Sequence, residues 1–528
     1  VRITRNWLLL VAVLITGCAT VEPGDNTQNR ANGGAVPPNA SAAGLAGAHD
    51  EGTAPIEDVW QRIREGYDIP GHDNARVQAE LRQYAGSTDY WSRVSERAAP
   101  YLFHIVEQLE ARDMPLELAL LPIVESGFQP FAYSHGRAAG IWQFVPATGR
   151  HYGLAQNWWY DGRRDVLAAT DAALTYLTYL NDMFDGDWLL ALAAYNAGEG
   201  TVSRAIRRNR NAGKPTDYWS LNLPRETMAY VPRLLAISEL VAAPDAHDIA
   251  LTPIPNRPAV EVVDLDGQID LALVTELAGV DMETLYALNP GYNRWATAPE
   301  GPHRLVLPQE RAADFRTRLA EIPSTDWMRW QRHQIASGET LGKIADRYHV
   351  TVSTLQEANS LDSHIIRAGG HLMVPIASRP DSTYSRTASA RQAATQATPR
   401  AGRERTNHVV QAGDSFWSIA QRYGVNVRQL ARWNNMAPRD VLSIGEQLAV
   451  WTDQPNPGST AAAIQRTPAE RLQAVTYTVR KGDSLYLIAQ RFGVGVADLR
   501  QWNNLREEGY LQPGQRLEMQ VDVTAQAN

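Results

Sequence analysis

The rhythm of apolar positions divides the chain into stretches of different kinds. Arg2 and Arg5 precede an apolar run from Trp7 to Ile15, which stops at Thr16-Gly17-Cys18. A basic start, a short apolar run and a small-residue site predict a secretory signal over residues 1–18, too short to favour a permanent transmembrane helix. Residues 19–55 are rich in Ala, Gly, Pro and Asn without periodicity and predict a flexible tether. From Ile56 the spacing turns helical, with Trp60, Ile63 and Tyr67 at intervals of three and four. Further helices are predicted from Tyr101 to Glu110, Asp165 to Asn181, Trp188 to Asn196 and Arg225 to Ala242. Gly-, Asn- and Pro-rich turns separate them and few runs alternate in the strand manner, so residues 56–245 read as one mainly α domain.

Beyond it the pattern repeats. Gly338-Glu339-Thr340-Leu341, Gly413-Asp414-Ser415-Phe416 and Gly482-Asp483-Ser484-Leu485 open three matching segments. Each continues with an Ile-Ala pair, then an aromatic residue (Tyr348, Tyr423, Phe492), then an Asn (Asn359, Asn434, Asn503), always 21 residues after the opening Gly. Agreement at several positions in three places marks a repeat. Short β-prone runs such as Thr476-Tyr477-Thr478-Val479 precede the opening turn, which supplies an N-cap for a first helix. Each unit therefore reads strand, helix, helix, strand, over 332–377, 407–452 and 475–521. Segments 378–406 and 453–471, rich in Ser, Thr, Ala, Arg and Pro, read as linkers. A degenerate fourth copy is expected over 255–312, where Asp266-Gly267-Gln268 replaces the usual turn but Leu288-Asn289-Pro290 and Leu305-Val306-Leu307-Pro308 keep their order.

Composition changes this picture little. A chain of 528 residues suggests about three or four domains, and 44% hydrophobic with 20% charged residues is a globular balance. A net charge of −8 without a basic patch argues against nucleic acid as a partner. Twelve His show no His-x-x-x-His or Cys/His ligand spacing, and phosphate-loop and dinucleotide signatures are absent, so neither metal nor cofactor is expected. Cys18 is the only cysteine, which leaves no intramolecular disulfide. Ile15-Thr16-Gly17-Cys18 resembles a bacterial lipoprotein box, which implies a lipid on Cys18 and a membrane-anchored protein. Ala19 stands where an inner-membrane retention signal has Asp, so the resemblance implies an outer-membrane lipoprotein facing the periplasm.

Glu125 is the candidate for chemistry. It closes the run Leu118-Ala119-Leu120-Leu121-Pro122-Ile123-Val124 and precedes Ser126-Gly127. Burial there would raise its pKa and keep a proton on it near neutral pH; the plainer reading is a surface Glu at a helix end. Three further patches follow: Gly140-Ile141-Trp142-Gln143-Phe144, Ala194-Tyr195-Asn196-Ala197-Gly198-Glu199-Gly200 and Glu226-Thr227-Met228-Ala229-Tyr230-Val231. In this order the four patches resemble the lysozyme-like lytic transglycosylases of glycoside hydrolase family 23, over roughly residues 100–245. The repeats resemble lysin-motif (LysM) domains. The fold class implied is multidomain: a mainly α lysozyme-like catalytic domain followed by small βααβ LysM domains.

The resemblance implies cleavage of the β-1,4 bond between N-acetylmuramic acid and N-acetylglucosamine in peptidoglycan without water, leaving 1,6-anhydro ends. Ordinary glycosidases use two carboxyl groups; here Glu125 alone would serve as acid and then as base. Ser126, Gln143, Tyr195, Asn196 and Tyr230 are the implied substrate-side residues, with Tyr230 beside the acid. Ser126 also reads as a turn residue, Gln143 as a satisfied loop amide, Asn196 as a helix cap, and Glu226 as structural. Trp142 stands where many members of the wider family have Met, and reads either as a sugar platform or as core. For the repeats, the resemblance implies glycan contacts at Gly338, Thr340, Asn359, Gly413, Asp414, Ser415, Asn434, Gly482, Asp483, Ser484 and Asn503. Two alternatives stay open at this point. One is a goose-type-lysozyme-like hydrolase with Asp185, Asp187 or Glu199 as second carboxylate, and the other a non-catalytic peptidoglycan-binding scaffold.

Overall fold

Helix α1 (Val59–Glu65) begins at Asp58, whose carboxylate accepts from Trp60 N–H at 3.2 Å, and buries Trp60 and Ile63 completely. The computed structural model describes residues 56–453, apart from 72 and 349. It also describes 472–522, apart from 480–482, 486–487, 490–493, 495, 504, 506–510 and 513. The expected signal with Cys18, the tether 19–55, Gly482 and residues 454–471 lie outside the described residues.

The helical region continues with α2 (Ala75–Tyr84), α3 (Thr88–Ala98), α4 (Leu102–Glu110), a 3-10 turn Leu116–Leu120 and the short α5 (Leu121–Ser126). After a long loop come α6 (Pro146–His151), α7 (Val166–Met183), α8 (Trp188–Ala197), α9 (Glu199–Asn211) and α10 (Arg225–Ala242). Asp165 and Asp187 cap α7 and α8, accepting from Ala168 N–H and Leu190 N–H at 3.0 Å each. Helix α10 packs against α2, α5 and α8. Its buried side, including Tyr230, Leu234 and Ile237, joins Leu118, Leu121 and Leu192 in one apolar core.

Among the described residues, four two-stranded antiparallel units follow. Strand β1 (Val260–Asp264), α11 (Leu271–Ala278), α12 (Met282–Leu288) and β2 (Arg304–Pro308) form the degenerate one, in register Val260↔Pro308, with α13 (Gln309–Ala320) laid across it. Strand β3 (Arg329–Gln334), α14 (Leu341–Tyr348), α15 (Val352–Ala358) and β4 (His371–Ile376) repeat the plan, as do β5 (Arg403–Val409), α17 (Phe416–Tyr423), α18 (Val427–Trp433) and β6 (Gln447–Asp453). Strands β7 (Leu472–Thr478) and β8 (Arg516–Asp522) pair in the last unit, with α19 (Val496–Trp502) between them.

The repeated Asn explains why the plan recurs. In each unit its amide nitrogen donates to a carbonyl on the second helix and to one on the closing strand, and its oxygen accepts an N–H from that strand. Asn434 does this with Leu430 and Ala449 at 2.7–2.9 Å, and Asn289, Asn359 and Asn503 do the same in their units. Asn434 is wholly buried, where an unmet amide would be costly, and these bonds satisfy it.

Two features were not readable from composition. The first two units share one apolar core, in which Leu285, Phe315, Ile344 and Leu355 join Trp159 and Tyr160 from the helical region. The segment 378–406 carries the helix α16 (Ala388–Ala397), capped by Thr387, whose Gln392 and Gln396 bond to Glu446 and Asn434 of the third unit.

Candidate active site

The residues that present Glu125 are buried without exception from Leu116 to Ile123. Pro122 lies in the first turn of α5, where its missing N–H costs nothing. Gly127 then takes the left-handed conformation, φ 59°, and ends the helix; its N–H reaches the Ile123 carbonyl at 3.1 Å and that of Phe128 reaches Pro122 at 3.2 Å. Glu125 therefore leaves the last turn of an otherwise sealed helix and faces a cleft of about 570 Å³.

The loop over this helix is held by its own carbonyls, one motif to each. Gly140 has φ 81°, and a Cβ there would stand 1.9 Å from the Arg163 carbonyl oxygen, so no other residue fits. The Gly140 carbonyl accepts from the Gln143 amide at 2.8 Å, the Ile141 carbonyl from Ser126 Oγ at 3.0 Å, and the Trp142 carbonyl from Tyr195 Oη at 2.9 Å. Gln143 has φ 51°, and with Phe144 it lines the cleft.

Helix α10 supplies the other wall. Tyr230 Oη donates to Glu125 Oε1, and Glu226, Tyr230 and Arg233 lie on the cleft side of this helix. Burial raises the Glu125 pKa to about 7, against the hydrogen bond from Tyr230, which lowers it; Glu226 raises it further and Arg233 lowers it. Burial first, then the charge of Glu125, pushes Tyr195 and Tyr230 well above the ordinary phenol range, so both remain donors. Tyr195 packs against Tyr176 and Phe144 at 5.4 and 6.4 Å between ring centroids, and Asn196 Oδ1 accepts from Thr227 at 2.8 Å.

Glu125, Gln143, Tyr195, Asn196 and Tyr230 thus surround one cleft. Ser126 is the exception: its hydroxyl serves Ile141 and Pro122 and ties helix to loop. Trp142 is core, fully buried with Nε1 donating to Thr170 at 2.9 Å, not a sugar platform. Asp187 is a helix cap and Asp185 sits in a turn at φ 55°, so the carboxylates that share the cleft with Glu125 are Glu199 and Glu226. Glu199 accepts from Tyr176 at 3.1 Å. Arg233 was not singled out from sequence, although its place seven residues after Glu226 sets it on the same face as Tyr230.

In the repeats, Asn359, Asn434 and Asn503 turn inward, and the bonds described above take up their amides. Asp414 accepts from His408 Nε2 at 2.8 Å and Gln411 N–H at 2.9 Å, and Ser415 caps α17. Asp483 accepts from Tyr477 at 2.7 Å, and Thr340 from Lys343 N–H at 3.3 Å. The Ser484 carbonyl accepts from Ile488 N–H at 2.9 Å. Gly338 and Gly413 turn at φ 80° and 87°. These residues shape the loops where the resemblance implies glycan contact. Among the described residues no cluster of His, Cys, Asp and Glu is arranged to hold a metal, and no helix is long and apolar enough to cross a membrane.

Comparison with known proteins agrees with this organisation. The family described as Transglycosylase SLT domain matches residues 104–217, and Lytic transglycosylase MltD, LysM-like domain, matches residues 259–324. LysM domain matches residues 333–375, 408–451 and 477–519. The membrane-bound lytic murein transglycosylase D of Escherichia coli (strain K12) is 36% identical over 519 residues, which span 97% of each chain. A putative tributyltin chloride resistance protein of Alteromonas sp. (strain M-1) is 40% identical over 172 residues, 33% of this chain and 81% of its own. The solved lytic transglycosylase Slt of Pseudomonas aeruginosa overlaps 29% of this chain and 25% of its own at 23% identity and a TM-score of 0.22, too slight an overlap to argue from.

Proposed function

Because the chain belongs to the membrane-bound lytic murein transglycosylase D family, and is a peptidoglycan lytic transglycosylase with wall-binding LysM domains, we propose that Glu125 is its acid and base. The observation that carries this assignment is a carboxyl group with a pKa of about 7, bonded by Tyr230 and open to the cleft. Protonated Glu125 gives its proton to the glycosidic oxygen as the bond from the muramyl C1 to that oxygen breaks. The substrate's own N-acetyl carbonyl stabilises the positive charge left on C1. Ionised Glu125 then takes the proton from the muramyl C6 hydroxyl, whose oxygen bonds to C1 and closes the anhydro ring. One group that donates and then accepts works best with a pKa near the working pH.

The neighbours have separate tasks in this reading. Tyr230 orients the carboxyl group. Gln143, with one amide hydrogen held by the Gly140 carbonyl, offers its oxygen to the substrate amide. Tyr195 and Asn196 form the wall against the N-acetyl group, and Ser126 keeps the loop in register. The LysM turns at Gly338, Thr340, Gly413, Asp414, Ser415, Asp483 and Ser484 present the glycan-binding loops. A lipid on Cys18 anchors the protein in the outer membrane, facing the periplasm.

The test is digestion of purified glycan strands followed by mass spectrometry. The expected products carry 1,6-anhydro ends, and Glu125→Gln lowers kcat/KM by about 10²- to 10⁴-fold. Products heavier by one water would show that a hydrolase is at work, and full activity in Glu125→Gln would remove Glu125 from the mechanism.

A further inference from the structure

The cleft around Glu125 is uneven in charge. Among the described residues, Glu199 and Glu226 are the further carboxylates on its wall, and Arg233 is the one cation there. Arg233 follows Tyr230 by three residues on α10, so it lies one turn along the face that bonds Glu125. Its guanidinium is anchored at one corner: Nε donates to Glu80 Oε2 on α2 at 3.2 Å. Neither Nη has a hydrogen-bond partner among the described residues, and neither is sealed from solvent; the side chain is 27% exposed. Helix α2 packs along α10, and both Glu80 and Arg233 lie outside residues 104–217, the part matched by the transglycosylase family. The pair is therefore built by the flanking helices.

The anchor bears on what Arg233 can do. A free arginine loses rotamer freedom when it grips a ligand, whereas one already tied through Nε presents its fork pre-set. Two parallel N–H groups match the two oxygens of a carboxylate. The substrate brings such a group to this place. A muramyl ring carries a lactyl ether on C3, two carbons from the C1 at which the bond breaks. On a naked strand that ether ends in a free carboxylate, and on a substituted strand it ends in an amide to a stem peptide with carboxylates of its own. Glu199 and Glu226 repel an acid elsewhere on the wall, which leaves Arg233 to receive it.

We propose that Arg233 is a specificity-determining residue of the cleft. Its Nη fork, set by Glu80, receives the carboxylate borne by the muramyl unit under attack, and the enzyme thereby selects acid-bearing glycan over neutral glycan. Glu80 is a positioning residue that acts through Arg233. The carboxylate belongs either to the lactyl ether or to the stem peptide. This inference rests on the lytic transglycosylase reading of the cleft.

The experiment measures kcat/KM of the full-length protein in detergent at about pH 5, where Glu125 keeps its proton and a lactyl carboxylate is ionised. Three substrates are compared: naked strands with free lactyl carboxylates, uncross-linked strands that keep their stem peptides, and naked strands whose lactyl carboxylates are capped as methyl amides. At least one acidic strand is expected to be cut with a kcat/KM about tenfold or more above the capped one, and its identity tells which carboxylate enters. A capped strand cut as well as both acidic ones overturns the proposal without any substitution. In Arg233→Gln the preference for acid is expected to shrink to within about twofold. A preference that survives there overturns the proposal, and so does an equal loss on acidic and capped strands, the mark of a merely structural role. Arg233→Lys keeps a cation for Glu80 and so keeps the test sharp should Arg233→Gln fold poorly. Without the planar fork its preference is expected to fall about threefold or more, and an unaltered preference overturns the proposal. The transglycosylase reading is judged separately, by the anhydro ends of the products and by turnover of Glu125→Gln.

Discussion

A carboxyl group that ionises near pH 7 makes its charged neighbours adjustable parts of the mechanism. Glu125 must hold its proton to act as acid, so kcat/KM is expected to fall as pH rises through about 7. Glu226 raises that pKa and Arg233 lowers it. Glu226→Gln should therefore move the alkaline limb to lower pH, and Arg233→Gln should move it to higher pH. Profiles of glycan cleavage against pH check both signs, and limbs that stay in place in both variants would show that these charges do not reach the acid. Glu125 was legible in the sequence because it ends an apolar run, and Tyr230 because its motif is ordered with the others. The separate duties of Ser126 and Tyr195 were not, since each bonds to a backbone carbonyl that no spacing announces.

At the scale of elements, the helices α7, α8 and α10 were readable as runs bounded by Gly-, Asn- and Pro-rich turns. The helix that carries the acid was not: α5 has six residues, too few for periodicity to define. The loop from Gly140 to Phe144 depends on contacts with α5, α8 and the Arg163 backbone, all distant in sequence. Its weak point is Gly140. Gly140→Ala forces a methyl group into the Arg163 carbonyl and is expected to cost roughly 3 kcal/mol. Urea unfolding would show this as a lower midpoint, and cleavage should fall as Gln143 and Ser126 lose their acceptors. A midpoint equal to that of the unaltered protein would mean that the loop yields at no cost. The segment 378–406 shows the opposite case, a stretch of linker composition that gains a helix because neighbouring units offer it partners.

At the scale of the molecule, the repeats were plain in the sequence, while their mutual packing was not, because a shared core joins residues from three regions. Among the described residues, two side chains of a LysM unit bond to the loop that borders the cleft: Arg432, 3.3 Å from His135, and Asp440. Asp440, in the loop after α18, accepts from Tyr133 at 3.1 Å and pairs with Arg137 at 2.7 Å, in the loop whose Ser134 and Ala138 border the cleft. Asp440→Ala is expected to loosen this loop, and hydrogen exchange of the amides over 133–139 should rise about tenfold, as for the loss of roughly 1.4 kcal/mol. Unaltered exchange would mean that the contact does not restrain the loop. The Asn clamp carries a different lesson. Asn289 makes the same bonds as Asn434 in a unit without the Gly-Asp-Ser turn. The architecture therefore separates chassis from bodywork: the clamp recurs from unit to unit while the rim above it differs. A search for unrecognised units of this kind should weigh the Asn and its strand above the turn, and a designer wanting a new specificity should leave the Asn alone and redraw the loops.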